Sequence, residues 1–186
     1  MIYLVQGGSV VTLVDRKLDV EELLDTVERD KVGAIAIVGD AFGKPIVRTL
    51  DAHPGRWDLS SLTLVTSSGG MWSAPVKAGL LAHNPGMFLI DVFSSSEAIG
   101  LGQSLSAAGV ESDTASFSLG ESARVVTEEG RVVEPGSGEQ GRVAVRGHVP
   151  LGYYKDEEKT ASTFITIDGS RYSIPGDWAT VEADGT

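Results

Sequence analysis

The stretch 87-MFLIDVFSSSEAIG-100 decides the fold. Met87 to Phe93 is a near-continuous apolar run of the kind found in strands buried on both faces of a parallel sheet. Three serines and a glutamate follow, before a run of small residues. Ser94 and Glu97 have the spacing of a capping box, in which each side chain satisfies an amide left free by a helix's first turn. In a second reading Glu97 is an acid held at the strand's end to meet a metal and phosphates. The local text admits both.

Upstream, strand-like and helix-like pieces alternate. Val10 to Val14 reads as a short β-branched strand, and 19-DVEELLDTVERDKV-32 as a helix with Asp19 and Glu22 as its capping pair. Ala34 to Val38 is a strand, followed by a helix through Ile46, Val47 and Leu50. Leu62 to Thr66 is a further strand and 73-SAPVKAGLLAH-83 a further helix. This pitch is that of parallel β units joined by crossover helices.

After about residue 105 the texture changes. The run 117-FSLGESARVVTEEGRVVEPGSGEQGRVAVRG-147 alternates in short pieces, with turns expected at Glu129-Gly130 and Glu134-Pro135-Gly136. A short helix from Asp156 to Thr163 precedes a tight turn at Asp168-Gly169, and a strand from Trp178 to Ala183 runs into Asp184-Gly185. The fold class expected is therefore α/β: a partial parallel sheet with crossover helices, then a small antiparallel, barrel-like β region. A final turn with no returning strand suggests a fragment of a longer protein.

Bulk properties narrow the function. The chain has 186 residues and a formal net charge of -11, which disfavours general binding to nucleic acid. It has no cysteine, so disulfide frameworks and thiolate metal sites are excluded. His53, His83 and His148 are scattered, which argues against a histidine zinc site. No run approaches the roughly 18 apolar residues of a membrane span, and a cytoplasmic location is expected. The acidic pairs are read as solvated faces, and Trp72 and Trp178 as packing residues.

The serine cluster and the loop 66-TSSGGMW-72 both fall at carboxyl ends of expected parallel strands, where open α/β sheets collect ligands. Gly69 and Gly70 would let backbone approach a ligand closely. Here the sequence resembles a known family. Asp91-x-Phe93-Ser94-x-Ser96-Glu97 is similar to the Asn-x-Tyr-Gly-x-Thr-Glu motif of adenylate-forming enzymes, specifically acyl-CoA synthetases. The segment 152-GYYKDEEKTASTF-164 is similar to their Gly-Tyr motif, 172-YSIPGDWATVEADG-185 to their Tyr-x-Thr-Gly-Asp motif, and Gly69-Gly70-Met71 to their Gly-Gly-Ala loop. The order and approximate spacing are those of the family over nearly the whole chain.

The resemblance implies attack of a carboxylate on the α-phosphate of ATP, then displacement of AMP by coenzyme A. It implies that Glu97 coordinates Mg²⁺, Ser96 donates to a phosphate oxygen, Phe93 packs on adenine and Asp177 accepts the ribose hydroxyls. Glu97 and Ser96 would be the catalytic pair. Gly69, Gly70, Met71, Asp91, Phe93, Ser94, Ser95, Ser96 and Asp177 would bind nucleotide, with a fatty acid or steroid side-chain acid as the carboxylate. Residues 1–105 would form the adenine and acyl side, and residues 106–186 the part carrying the Gly-Tyr and Gly-Asp motifs.

Phe93 and Ser94 depart from the family's Tyr and Gly, and Ile174-Pro175 stands where one Thr is usual. The family's phosphate loop and lid lysine are absent, so the isolated chain is expected to lack activity. The alternatives are another adenylate-forming ligase, or a non-catalytic nucleotide-binding or self-associating module, with homo-oligomers formed through exposed strand edges.

Overall fold

The computed structural model describes residues 2–14, 17–110 and 113–186. Its elements are α1 (Ile2–Val5), α2 (Val20–Arg29), β1 (Ala34–Ile37), α3 (Gly39–Ala52), β2 (Leu64–Ser67), α4 (Ala74–His83), β3 (Phe88–Phe93), β4 (Gly102–Ser106) and β5 (Ser118–Leu119). Then follow β6 (Ala123–Val126), β7 (Gly141–Arg146), α5 (Glu157–Thr163), β8 (Phe164–Ile167), β9 (Ser170–Ser173) and β10 (Trp178–Ala179).

The first sheet runs in the order β1-β2-β3-β4-β5. β1, β2 and β3 are parallel, with Ile37 opposite Ser67 and Ser67 opposite Asp91, and β4 and β5 add on antiparallel. Helix α2 begins where Asp19 accepts from the amides of Glu21 and Glu22, so the Asp19 half of the expected capping pair is present. Leu24 and Val27 of α2, Ile46 and Leu50 of α3, and Val76 and Leu80 of α4 close over Val65 and Leu89 in one core. Leu89 is completely buried, so it anchors the strand that carries the serine cluster.

Among the described residues, helices pack on one face of this sheet. The register puts Leu64, Thr66, Phe88, Ile90 and Leu105 on the other face. There Phe88 is 52% and Leu105 46% exposed. The apolar runs imply burial on both faces, because a strand sandwiched between helix layers has no polar side. Among the described residues the helices cover one.

The second sheet has the order β10-β7-β9-β8, with β6 on the other side of β7. It is antiparallel throughout and open, not a closed barrel. Both turns expected in its first hairpin region form: Gly130 donates to Thr127 and Ser137 to Glu134. Asp168 and Gly169 both take positive φ, 49° and 75°, as a two-residue hairpin between right-twisted strands requires. The two sheets share a core: Ala98 and Leu101, after β3, pack with Val125, Val143 and Val145.

Three expectations fail. Val10 to Val14 is irregular, since β propensity alone forms no strand without a partner edge. The last strand stops at Ala179, after pairing with Arg142 and Gly141 of β7, so Thr180 to Ala183 continue without a ladder. Trp178 is 56% exposed and is not a packing residue, whereas Trp72 is buried.

Asp58 links α2's end to the approach to β2. Its carboxyl is pushed down to about 2 by the hydroxyl and amide of Ser60 and by Lys31, whose Nζ lies 3.1 Å away. A lowered carboxyl pKa stabilises the fold above the unfolded value, 3.8, and that contribution is lost as pH falls toward 2. Asp58→Asn is therefore expected to flatten the acid limb of the stability curve between those values, read by urea unfolding as a function of pH.

Candidate functional site

The parallel pairing of β1, β2 and β3 brings the loops after all three to one end of the sheet. The middle loop is clamped. Asp40, in the first turn of α3, donates its amide to the Met71 carbonyl at 2.9 Å, and its Oδ1 accepts from the amide and hydroxyl of Ser73 at 2.9 and 3.0 Å. Lys44 pairs with its Oδ2 at 3.0 Å. The Asp40 carboxyl lies below its ordinary value; burial opposes the shift, and the Ser73 and Lys44 contacts outweigh it. The buried Ser67 hydroxyl accepts from the Gly39 amide at 2.9 Å, closing the base of the loop. Gly69, at φ +80°, has open space where a Cβ would be, so Gly69, Gly70 and Met71 stand exposed over this clamp.

No helix follows β3. Ser95 and Ala98 exchange both backbone hydrogen bonds, at 2.9 and 3.2 Å, which pinches the chain and leaves Ser96 and Glu97 at the tip. The capping-box reading of Ser94 and Glu97 thus gives way to a turn. The chain must reverse within a few residues, because Phe93 pairs with Gly102 across the β3–β4 ladder. Buried Ala98 and Leu101 fix the return.

Ser96 is exposed at that tip and Glu97 half-buried beside it. Glu97 Oε1 accepts from the Tyr153 hydroxyl at 2.7 Å. The Glu97 carboxyl is held below its usual range, first by Tyr153, then by its own backbone amide, with smaller contributions from Ser95 and the charge of Lys159 and partial opposition from burial. Phe93 meets Phe117 with ring centroids 5.3 Å apart and lines a cavity of about 180 Å³ whose far wall is Ala179 to Glu182. That is smaller than the ~300–1,000 Å³ of complete ligand sites. Asp177 is exposed just before that wall, and its carbonyl accepts from the Val143 amide at 2.9 Å.

Asp91 is the exception among the candidates. It is 5% exposed and points under the sheet toward Lys77 of α4, Oδ2 to Nζ 3.7 Å. Burial raises its pKa and Lys77 opposes the rise. Asp91, expected among the nucleotide-binding residues, thus lies in a buried ion pair beneath the sheet. Strand alternation foretells this, since Asp91 lies two residues from fully buried Leu89 on the same face. Tyr153 lies within the Gly-Tyr segment, but its partner is 56 residues away in sequence, so no local signal gives it a role. Asp40 could have been found from its i,i+4 relation to Lys44.

Among the described residues no three His, Asp or Glu side chains converge as a metal cage. A single half-buried carboxylate suits Mg²⁺, which binds through one or two carboxylates and completes its shell with waters and substrate phosphates.

The chain is similar to several known proteins. A medium/long-chain-fatty-acid–CoA/3-oxocholest-4-en-26-oate–CoA ligase of Mycolicibacterium smegmatis is 40% identical over 185 residues, covering 97% of this chain and 33% of that protein. Over nearly its whole length the chain is similar to one part of that ligase. A 3-oxocholest-4-en-26-oate–CoA ligase of Rhodococcus rhodochrous is 38% identical over 191 residues, covering 98% of the chain and 34% of the ligase. The chain thus spans about a third of the length of the curated relatives it matches. A long-chain-fatty-acid-CoA ligase from Archaeoglobus fulgidus superposes at a TM-score of 0.73 with 18% identity, over 90% of this chain and 35% of that one. A nonribosomal peptide synthetase does so at 0.76 with 21% identity, over 92% and 19%. These likenesses show that the chain has the fold of a part of each of those two proteins. No protein-family model matches the chain. No helix among the described residues is long and apolar enough to cross a membrane.

The buried pair yields a stability test. Lys77→Met leaves the Asp91 carboxylate buried and uncompensated, at an expected cost of about 3 kcal/mol. Adding Asp91→Leu should recover most of it. Urea midpoints of the single and double variants check this.

Proposed function

We propose that this chain supplies the adenine, ribose and magnesium-facing wall of an ATP-dependent acyl-CoA ligase. The ligase would convert a fatty acid or related carboxylate, ATP and coenzyme A to acyl-CoA, AMP and pyrophosphate through an acyl-adenylate. One observation carries the reading: the pinched turn after β3 presents Ser96 and Glu97 at the same sheet end as the clamped Gly69–Met71 loop.

On this reading Glu97 would hold Mg²⁺, which when bound would offset charge on the phosphates beside a chain of net charge -11. Ser96 donates to a phosphate oxygen. Phe93 offers an aromatic face to adenine from its cavity. Asp177 takes the ribose hydroxyls, as an ionised carboxylate with two acceptor oxygens can. Ser94 and Ser95 line the approach from the turn's first side, and Gly69, Gly70 and Met71 bound adenine and the acyl group. Lys77 and Asp91 support the strand from beneath. The division into residues 1–105 and 106–186 belongs to the same proposal, as does cytoplasmic location.

In the full-length ligase bearing this chain, Glu97→Gln is expected to slow ATP–pyrophosphate exchange on the order of 10- to 100-fold, the scale of one lost electrostatic contact. Exchange equal to wild type would remove Glu97 from the mechanism. The isolated chain is expected to form no acyl-CoA from fatty acids, ATP, Mg²⁺ and coenzyme A; turnover above background would contradict that.

A second reading, self-association, is favoured by the uncovered face bearing Phe88 and Leu105. It expects a dimer or larger species at micromolar concentration by sedimentation, and a monomer there would exclude it.

A further inference from the structure

We propose that Tyr153 is a positioning residue for Glu97: its hydroxyl holds Oε1 and so fixes the carboxylate's place and rotation for the cation that would accompany the nucleotide. This rests on the magnesium-facing reading of Glu97 and adds a residue to it.

The geometry is a short chain of supports. The Tyr153 hydroxyl donates to Glu97 Oε1 at 2.7 Å, across 56 residues of sequence. A glutamate at the tip of a turn has three rotatable bonds and loses freedom when it is fixed, so an unsupported side chain would sample many positions. Tyr153 is itself fixed. Its amide donates to Thr160 Oγ1 at 2.9 Å, and that hydroxyl donates to the Asp156 carbonyl at 2.6 Å. Gly152 packs so closely on the Thr160 side chain that a Cβ there would collide with it. The Tyr153 ring lies 5.8 Å from Phe164, and Lys159 Nζ sits 4.3 Å above its face. Helix α5, capped by the Asp156 carboxylate accepting from the Lys159 amide, thus sets the ring from below and the cation from above.

Two elements of different sheets meet at this bond. The turn after β3 belongs to the first sheet, whereas Tyr153 and α5 precede β8 of the second. A hydrogen bond to an ionised acceptor is short and strong, so it locks the carboxylate's rotation as well as its place. The Tyr153 hydroxyl is a neutral donor, so engaging it leaves the carboxylate's own negative charge in place for a cation. A lysine in place of Tyr153 would neutralise it; the phenol does not.

The test uses the full-length ligase bearing this chain, with Tyr153→Phe, Glu97→Gln and the double variant. The probe is Mn²⁺ in the presence of saturating ATP, with free Mn²⁺ read by electron paramagnetic resonance. Tyr153→Phe keeps the ring and is expected to weaken Mn²⁺ binding on the order of tenfold, the lower end of the scale of one hydrogen bond to a charged group. ATP affinity without metal should stay at the wild-type value. In the Glu97→Gln background the same substitution should change nothing further. Tyr153→Phe binding Mn²⁺ as wild type does, while Glu97→Gln weakens it, would overturn the inference and leave the reading of Glu97 standing. Equal weakening by Tyr153→Phe in both backgrounds would also overturn it, assigning Tyr153 to general packing. Unchanged Mn²⁺ binding in Glu97→Gln would overturn both. A thermal melt of Tyr153→Phe within a few degrees of wild type verifies that the folded protein is being measured.

Discussion

Everything at the candidate site depends on the parallel register of β2 against β3. Because Ser67 lies opposite Asp91, the Gly-Gly loop and the serine turn leave the sheet side by side. A register slip by one residue would turn Leu89 out of the core and Phe88 into it, which fixes the alignment energetically as well as geometrically. The Lys77–Asp91 pair lies on the same inner face and adds a polar check on that register. Buried charges of this kind rarely add net stability, but they penalise arrangements that separate them.

Above the register sits a graded set of restraints. Asp40 ties the Gly69–Met71 loop to the start of α3 through backbone and side chain at once. The serine turn depends on two backbone bonds and on the buried Ala98 and Leu101. Phe93 is held by Phe117 and by the second core. Rigid supports beneath exposed small and polar groups are what a site needs when its ligand brings most of the charge. On the proposed reading, a net charge of -11 gives an anionic nucleotide no help from the overall field, so local groups would have to hold it.

Much of this was legible in the sequence, for reasons that can be named. Apolar runs separated by helical spacing gave the parallel strands, because burial patterns follow directly from periodicity. Asp168-Gly169 gave its hairpin because few residue pairs accept two positive φ angles. The capping box failed because its spacing is equally compatible with a tight turn, and only the antiparallel return of β4 onto β3 decides between them. Asp91 follows the strand's two-residue alternation, which puts it on the covered face with Leu89. Tyr153 and Lys77 gained their roles through contacts distant along the chain, for which a single sequence carries no local signal.

The uncovered side of the first sheet has a practical consequence. Phe88 and Leu105 present rings and methyl groups to water while the fold is intact. Environment-sensitive dyes that brighten on greasy surfaces would therefore bind the native form, and their fluorescence could not serve as a marker of denaturation for this polypeptide.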